Sequence, residues 1–158
     1  MDDIDRTILS VIQGEGRITI TDLAQRVSIS TPACHRRLRA LEQEGVIRGY
    51  RAVVDPRALE AGFEVLVQVT MDREDAATVA AFEEAVTLVA EVRDAERLFG
   101  DPDYLLRVAT ADIESYQRLR DRALATLPGV RRLTSTIVMK RLVDARPYAA
   151  PESRTSRR

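Results

Sequence analysis

The sequence has very few of the residues on which catalytic and metal sites depend. It contains one cysteine and one histidine in 158 residues, so it can form neither an internal disulfide nor a cysteine or histidine metal cluster. Acid–base and nucleophilic chemistry lose their commonest participants for the same reason. We therefore expect no catalytic residues, no metal site, no cofactor and no enzymatic activity.

Long apolar runs are also missing. No stretch approaches the ~20 hydrophobic residues that cross a bilayer. The segment Met1–Asp5 is acidic where a signal peptide would be basic. The single cysteine fits a reducing compartment. These features predict a cytoplasmic protein with no membrane partner. A composition of 45% hydrophobic and 31% charged residues is that of a folded globular chain.

Charge is nearly balanced, with a formal net charge of −1, but it is unevenly distributed. The stretch 31–51 is basic, because five arginines stand there against two glutamates. The arginines are Arg36, Arg37, Arg39, Arg48 and Arg51. A local basic patch is sufficient to meet phosphate even in a nearly neutral protein.

Residues 1–50 have the apolar spacing of three helices. Ile4, Ile8 and Ile12 recur at helical spacing in the first. Thr21 is expected to cap a short second helix, which a tight turn joins to the third. Ser30 is expected to cap the third helix. This arrangement predicts a helix-turn-helix DNA-binding domain over 1–50.

The third predicted helix has one apolar and one polar face. Cys34, Leu38 and Leu41 share a stripe, and Arg36 and Arg39 lie opposite, where guanidinium groups suit guanine edges in the major groove. We expect Arg37, beside the stripe, to orient the helix or touch phosphate. The alternative is a solvated helix with ordinary surface arginines. The candidate DNA-binding residues are Ser30, Thr31, Pro32, His35, Arg36, Arg37 and Arg39.

Adjacent Cys34 and His35 are not predicted to form a catalytic pair. Neighbours on a helix point about 100° apart, so the two side chains cannot share a productive hydrogen bond. We expect Cys34 to pack in the core and His35 to face outward.

The rest of the chain alternates strands and helices. A strand is expected at 46–54. The β linker, 51–62, is expected to contain the end of that strand and then a helical turn over 56–62. The order βαββαβ then predicts a ferredoxin-like domain over 63–143, which makes the chain an α+β protein. Its strands are expected at 64–71, 92–99, 104–110 and 130–143, and its helices at 75–90 and 113–127. The tail 144–158, rich in Arg, Ser and Pro, is expected to be disordered.

Burial patterns within this domain can also be predicted. Val65, Val67 and Val69 alternate onto one strand face, which the helices should cover. The last helix is expected to bury Ile113, Tyr116, Leu119, Ala123 and Leu127. The opposite sheet face is expected to be apolar and to require a partner, which predicts an isologous homodimer.

Several runs of residues together resemble the Lrp/AsnC family of bacterial transcription regulators. In the first half they are Asp3–Leu9, Gly16–Ile18, Thr21–Ala24 and the spaced pattern from Ser30 to Tyr50. In the second half they are Gly100–Leu106, Leu127–Val130 and Ser135–Lys140. Two positions depart from the family pattern. Ser28 stands where glycine is usual, which predicts mild left-handed strain, and Ala40 stands where a second arginine is common.

The resemblance implies a helix-turn-helix joined to a ferredoxin-like effector and oligomerisation domain. It implies homodimers that assemble further, for example into an octamer, and an amino acid bound between subunits. The implied effector-binding residues are Leu98, Gly100, Asp101, Asp103 and Tyr104 of one subunit with Thr136, Ile137 and Val138 of a neighbour.

Apolar walls in such a pocket would favour a branched-chain or other apolar amino acid. An inward-turned Arg97 would instead favour an acidic one. A plain hairpin turn at Gly100–Asp103, with only an oligomer contact, is the alternative to a pocket.

The leading hypothesis is an amino-acid-responsive regulator of amino-acid metabolism or transport genes, which binds double-stranded DNA sequence-specifically. The alternative is a stand-alone amino-acid-sensing module or enzyme subunit on a ferredoxin-like scaffold. Residues 1–50 discriminate between the two, because a metabolic sensor needs no helix-turn-helix.

Overall fold

The computed structural model describes residues 1–144 and 146–149. The prediction of a disordered tail falls largely outside these residues. The chain divides into two compact units. A helical unit comprises Met1–Val53 with the described residues that follow Leu142, and a sheet unit comprises Val54–Leu142. No helix in the described part is both long and apolar enough to cross a bilayer.

The helical unit contains three α-helices, as the apolar spacing predicts. They are α1 (Asp3–Gly14), α2 (Ile20–Arg26) and α3 (Thr31–Gln43). Their shared core is fully apolar, and burying it is the main force that holds such short helices together. The buried residues are Ile8, Leu23, Ala24, Val27, Cys34 and Leu41.

The expected cap of α2 is wrong by two residues. The helix begins at Ile20, and Thr19 is its N-cap, accepting a hydrogen bond from the backbone N–H of Asp22 at 3.1 Å. The helix starts before Thr21 because Ile20 belongs to the apolar stripe that packs on the core, which leaves Thr19 as the capping residue. Asp22 then occupies the third helical position and accepts from the Thr19 hydroxyl at 2.7 Å.

The turn before α3 has the left-handed residue that the sequence predicts. Ser28 has φ +57°, a conformation that costs a side chain with a Cβ about 1 kcal/mol relative to glycine. Ser30 is the N-cap of α3 as expected, but its side chain makes no capping hydrogen bond. Gly45, with φ +69°, follows the last turn and lets the chain leave the helix.

The strand expected at 46–54 is wrong, and the linker over 51–62 contains no strand. A β-strand needs a neighbouring strand to complete its backbone hydrogen bonds, and no other described segment forms a strand pair with this one. The segment is held against α3 by a side chain, since the Tyr50 hydroxyl donates to Glu42 at 2.9 Å. A 3₁₀ turn at Pro56–Leu59 is the predicted helical turn.

The sheet unit has the predicted βαββαβ order. Its elements are β1 (Phe63–Met71), α4 (Ala76–Thr87), β2 (Val92–Arg97), β3 (Tyr104–Thr110), α5 (Ile113–Arg122) and β4 (Val130–Ile137). The spatial order is β2-β3-β1-β4, with every pair antiparallel. The chain is therefore an α+β protein with a ferredoxin-like second half.

Several element ends differ from expectation. The helix predicted at 113–127 is α5 followed by a 3₁₀ turn at Leu124–Thr126, because the residue before Pro128 must be extended. The last strand stops at Ile137 rather than at 143, since its partner β1 begins at Phe63. Helix α4 and strand β2 also end two or three residues early.

The core of the sheet unit lies between the helices and one sheet face. Val65, Val67 and Val69 are fully buried there, as expected. Tyr116 and Leu119 of α5 are buried too, but Ile113 is 43% exposed, so its predicted core role is wrong. Ile113 is the first helical residue, and α5 covers the sheet only from its next turn.

The opposite sheet face is not the apolar surface that the sequence predicts. Leu66 and Leu105 share it with an ion-pair network. Arg107 pairs with Glu64, and its Nε lies 3.6 Å from Asp94. The alternation along β1 places Glu64, Leu66, Gln68 and Thr70 there, and Gln68 is exposed. A partner for this face must therefore match charge as well as area.

Candidate nucleic-acid interface and ligand cleft

The predicted recognition helix α3 has one buried and one open side. Cys34 and Leu41 are buried against α1 and α2, and Leu38 packs partly against the same core. The outward side chains are Pro32, His35, Arg36 and Arg39, all exposed, with Thr31 half-buried beside them. The face is therefore a contiguous surface of one helix.

Arg36 and Arg39 are available for an external anion. Both side chains are exposed, and neither makes an ion pair or hydrogen bond with any described residue. A guanidinium group carries five donors in a planar fork, which matches the O6 and N7 acceptors of guanine or two phosphate oxygens. These two side chains have the chemistry and the placement that groove reading requires.

Arg37 is engaged within the protein. Its Nη1 donates to Asp2 Oδ2 and to Asp5 Oδ1, both at 2.8 Å. Asp2 and Asp5 are also the capping box of α1, where each carboxylate accepts the other residue's backbone N–H at 2.9 Å. Each carboxylate thus gives one oxygen to the box and the other to Arg37. The three side chains tie α3 to the start of α1.

The pKa values agree with this geometry. The backbone N–H of Asp5 and the Arg37 guanidinium hold the pKa of Asp2 below its ordinary value. Hydrogen bonds to Asp5 and Asp2 raise the pKa of Arg37. We therefore expect Asp2 and Arg37 to be charged at neutral pH. Of the two roles predicted for Arg37, this contact fits orientation of the helix rather than phosphate contact.

Cys34 and His35 are separated as their helix positions require. Cys34 is fully buried, and burial raises the pKa of its thiol, so the thiolate is disfavoured. His35 is exposed on the outward face. The two side chains are not placed to act together.

A cleft of about 680 Å³ lies beside the turn between β2 and β3. Four of the predicted effector residues line it: Leu98, Gly100, Asp103 and Tyr104. Gly100 has φ +139°, a backbone conformation that favours glycine. Asp101 is exposed and does not line the cleft.

Asp103 is already hydrogen-bonded to β1 and across the hairpin. Its Oδ2 accepts the backbone N–H of Met71 at 2.7 Å, and its own N–H donates to the Val69 carbonyl at 3.0 Å. Its carbonyl accepts the Leu98 N–H at 2.8 Å and closes the hairpin. One carboxylate oxygen, Oδ1, remains for a bound ammonium group.

Tyr104 forms part of the cleft wall. Its ring packs on Phe82, with centroids 4.4 Å apart, and its hydroxyl donates to Glu83 at 3.0 Å. Burial, with Glu83 beside it, raises the pKa of Tyr104 to about 12. The hydroxyl therefore stays protonated at neutral pH.

Thr136, Ile137 and Val138 lie at the other end of the sheet. Ile137 pairs with Val65 on β1, whereas Tyr104 pairs with Val69. Four residues of strand separate the two pairs, about 13 Å. One chain therefore does not bring the two groups of predicted effector residues together.

Sequence reasoning missed several residues of the cleft. Met71, Glu74, Val79 and Phe99 also line the cleft, and the periodicity of β1 and α4 gave no sign of it. Phe99, whose side chain is fully exposed, was the one available signal. No cluster of three or more potential metal ligands exists among the described residues.

Comparison with known proteins gives matches over both halves. Residues 1–48 match a model described as winged helix-turn-helix DNA-binding. Residues 64–148 match the model of the Lrp/AsnC ligand binding domain. Among curated proteins, the leucine-responsive regulatory protein of Escherichia coli strain K12 is 36% identical over 140 residues, covering 89% of this chain and 85% of that protein.

Solved structures agree with these matches. A transcriptional regulator from Neisseria meningitidis in complex with L-Met superposes with a TM-score of 0.88 at 30% identity, covering 94% of this chain and 96% of that one. A feast or famine regulatory protein from M. tuberculosis, complexed with L-methionine, gives a TM-score of 0.83 at 30% identity, with 95% and 99% covered.

Proposed function

Because this chain belongs to the Lrp/AsnC family of transcriptional regulators, we propose that it reads DNA with α3 and responds to an apolar amino acid. It is a regulator with a helix-turn-helix DNA-binding unit and an amino-acid-binding domain. The observation that carries the proposal is the exposed, unbonded pair Arg36 and Arg39 on a helix whose other side is buried.

The DNA-binding domain in this proposal is residues 1–50. Arg36 and Arg39 contact base edges, and Thr31, Pro32 and His35 lie against the duplex beside them. The Ser30 hydroxyl, which makes no capping bond, is available to a phosphate. Arg37 positions the helix through Asp2 and Asp5. A symmetric dimer would present two such helices to successive major grooves.

The effector domain is residues 63–143, and 51–62 links it to the first. We assign the ligand ammonium to Asp103, with Leu98, Gly100 and Tyr104 around it and Asp101 at the rim. Thr136, Ile137 and Val138 of a neighbouring subunit close the site. Met71, Val79 and Phe99 add apolar surface, which supports a branched-chain or similar ligand over a charged one.

Assembly follows from the same assignment. The two groups of effector residues are about 13 Å apart along the sheet of one chain, so a shared pocket needs a second subunit. We propose a homodimer that assembles further, for example to an octamer. Such a regulator of amino-acid metabolism or transport genes would act in the cytoplasm, where its DNA is.

The alternative, a stand-alone amino-acid sensor or enzyme subunit, has less support. It leaves the helix-turn-helix match over residues 1–48 without a purpose. The relatives from Escherichia coli, Neisseria meningitidis and M. tuberculosis all carry the names of regulators.

A footprint of the full-length protein over DNA upstream of its own gene tests the proposal. We expect protection of a rough palindrome, changed in extent or affinity by at least one apolar amino acid. Calorimetric titration with leucine, isoleucine, valine, methionine, phenylalanine, lysine and aspartate identifies the ligand class. Heat from lysine or aspartate alone would contradict the apolar preference.

A further inference from the structure

Among the described residues, Arg97 is the one cation that lines the cleft beside the turn. It is the last residue of β2 and pairs directly with Tyr104 across the hairpin. Directly paired residues on antiparallel strands share a sheet face, so Arg97 and Tyr104 both point toward the helices. Glu83 on α4 meets both of them there.

The guanidinium of Arg97 has donors to spare. Its Nη1 lies 3.6 Å from Glu83 Oε1, which is an ion pair but is too long for a hydrogen bond. Glu83 Oε1 already accepts the Tyr104 hydroxyl at 3.0 Å. The Arg97 side chain makes no hydrogen bond with any described residue. The ion pair therefore directs the side chain while its planar donor fork stays unoccupied.

The cleft also contains groups of the opposite charge. Asp103 has one free carboxylate oxygen, and Glu74 lies on the cleft wall. Between the charged groups the lining is apolar, from Met71, Val79 and Leu98. A cation, an anion and an apolar wall together match a zwitterion with an aliphatic side chain. A buried acidic side chain in the ligand would lack a second cation in the described cleft.

We propose that Arg97 binds the α-carboxylate of the amino-acid effector and is thereby a specificity-determining residue, with Glu83 as its positioning residue. This inference rests on the proposed amino-acid response and adds the recognition of one ligand group to it. A bidentate guanidinium–carboxylate pair supplies both affinity and orientation. It directs the ligand side chain away from Arg97 and toward the apolar wall.

The test pairs a residue change with a ligand change. Affinities of full-length wild type and Arg97→Gln for L-methionine and L-methioninamide are measured by calorimetry at pH 7. We expect wild type to bind methionine at least about tenfold more tightly than the amide, as for a hydrogen-bonded charge pair. Arg97→Gln should lose that preference, and Arg97→Lys should recover part of it. Arg93→Gln, on the same strand, should bind as wild type does.

Three results would overturn the assignment. Arg97→Gln could bind methionine as tightly as wild type, it could lose affinity for acid and amide equally, or wild type could prefer aspartate to methionine. If wild type binds none of the amino acids, the proposed amino-acid response fails and this inference fails with it. Because Arg97 is exposed, an unchanged melting temperature is expected to separate loss of contact from loss of fold.

Discussion

The outward face of α3 and the cleft beside the β2–β3 turn differ in how far one chain completes them. The residues of the helix face come from ten consecutive positions, Ser30 to Arg39, and are already arranged on one surface. The residues assigned to the effector lie at two ends of a sheet. A site built on one helix is finished by local folding, whereas a site built on separated strand ends requires assembly.

The largest expected effect is a loss of DNA affinity at the α3 face, the site that one chain completes by itself. Arg36→Ala and Arg39→Ala should each weaken operator binding by about 1–3 kcal/mol at fixed salt if the side chains reach base edges. The fold should survive, because both side chains point away from the core. Gel-shift titration measures the loss, and Arg131→Ala on β4 serves as a charge-matched control. If both variants give the wild-type footprint, the assignment of α3 to the major groove is wrong.

The next prediction concerns the effector site, which is proposed to need residues from two subunits. Asp103→Asn and Ile137→Arg, purified separately, should each lose amino-acid binding. After subunit exchange of an equal mixture, about a quarter of the sites should combine an intact turn with an intact strand end. Calorimetric titration of the mixture measures the number of amino-acid binding sites per subunit.

A mixture that stays inactive would place the whole site within one chain. The effector site would then be completed by one chain, as the α3 face is. Circular dichroism of each variant before mixing excludes a simple failure to fold. Wild type taken through the same exchange procedure is the matched control.

Arg37 tests whether every arginine of α3 belongs to the DNA-binding face. If Arg37 positions the helix, Arg37→Ala should weaken specific and non-specific DNA binding alike and lower the melting temperature. The slope of affinity against salt should stay unchanged, because no phosphate contact is lost. Asp5→Asn should reproduce the effect from the other side of the ion pair. A slope reduced by about one would instead make Arg37 a phosphate ligand.

The smallest effect is one that the two units should share. Asp2, Asp75 and Asp112 are helix caps, and hydrogen bonds at the cap lower their pKa values below the ordinary 3.8. For Asp2 and Asp75 the main cause is a backbone N–H group, and for Asp112 it is the Ser115 side chain followed by the Ser115 backbone N–H. The folded carboxylates therefore stay ionised where the unfolded chain takes up protons. The stabilisation is present above about pH 3.8 and is lost as pH falls through the lowered values. Asp75→Asn, which keeps a cap without the charge, should unfold with a shallower acid dependence in thermal melts.

Local signals in the sequence predicted the elements well and their ends less well. The alternation of Val65, Val67 and Val69 and the apolar spacing in α1 were sufficient, because each reports its own burial. Thr19 rather than Thr21 is the cap because Ile20, which packs on the core, is already the first residue of α2. The strand expected at 46–54 failed because a ladder requires a neighbouring strand, which β-propensity alone cannot supply.

In the two sites as well, features set by nearby residues could be predicted and features set by distant contacts could not. The polar face of α3 could be derived from 3.6-residue periodicity, but the engagement of Arg37 could not, since its partners are 32 and 35 residues away. The cleft residues Met71 and Val79 carried no sign of their role, because they come from a strand and a helix that only the folded sheet brings to the turn.

The hydrogen bonds around Asp103 affect the rate at which an effector binds and the conformational entropy that its binding costs. The turn is fastened at three points, through Met71, Val69 and Leu98, before any ligand is bound. A receptor whose loop is already ordered loses little further conformational entropy when it binds. Association then need not wait for loop closure, so affinities for related amino acids should differ mainly in their rates of departure. A sensor of this kind follows a falling amino-acid concentration as quickly as its ligand dissociates.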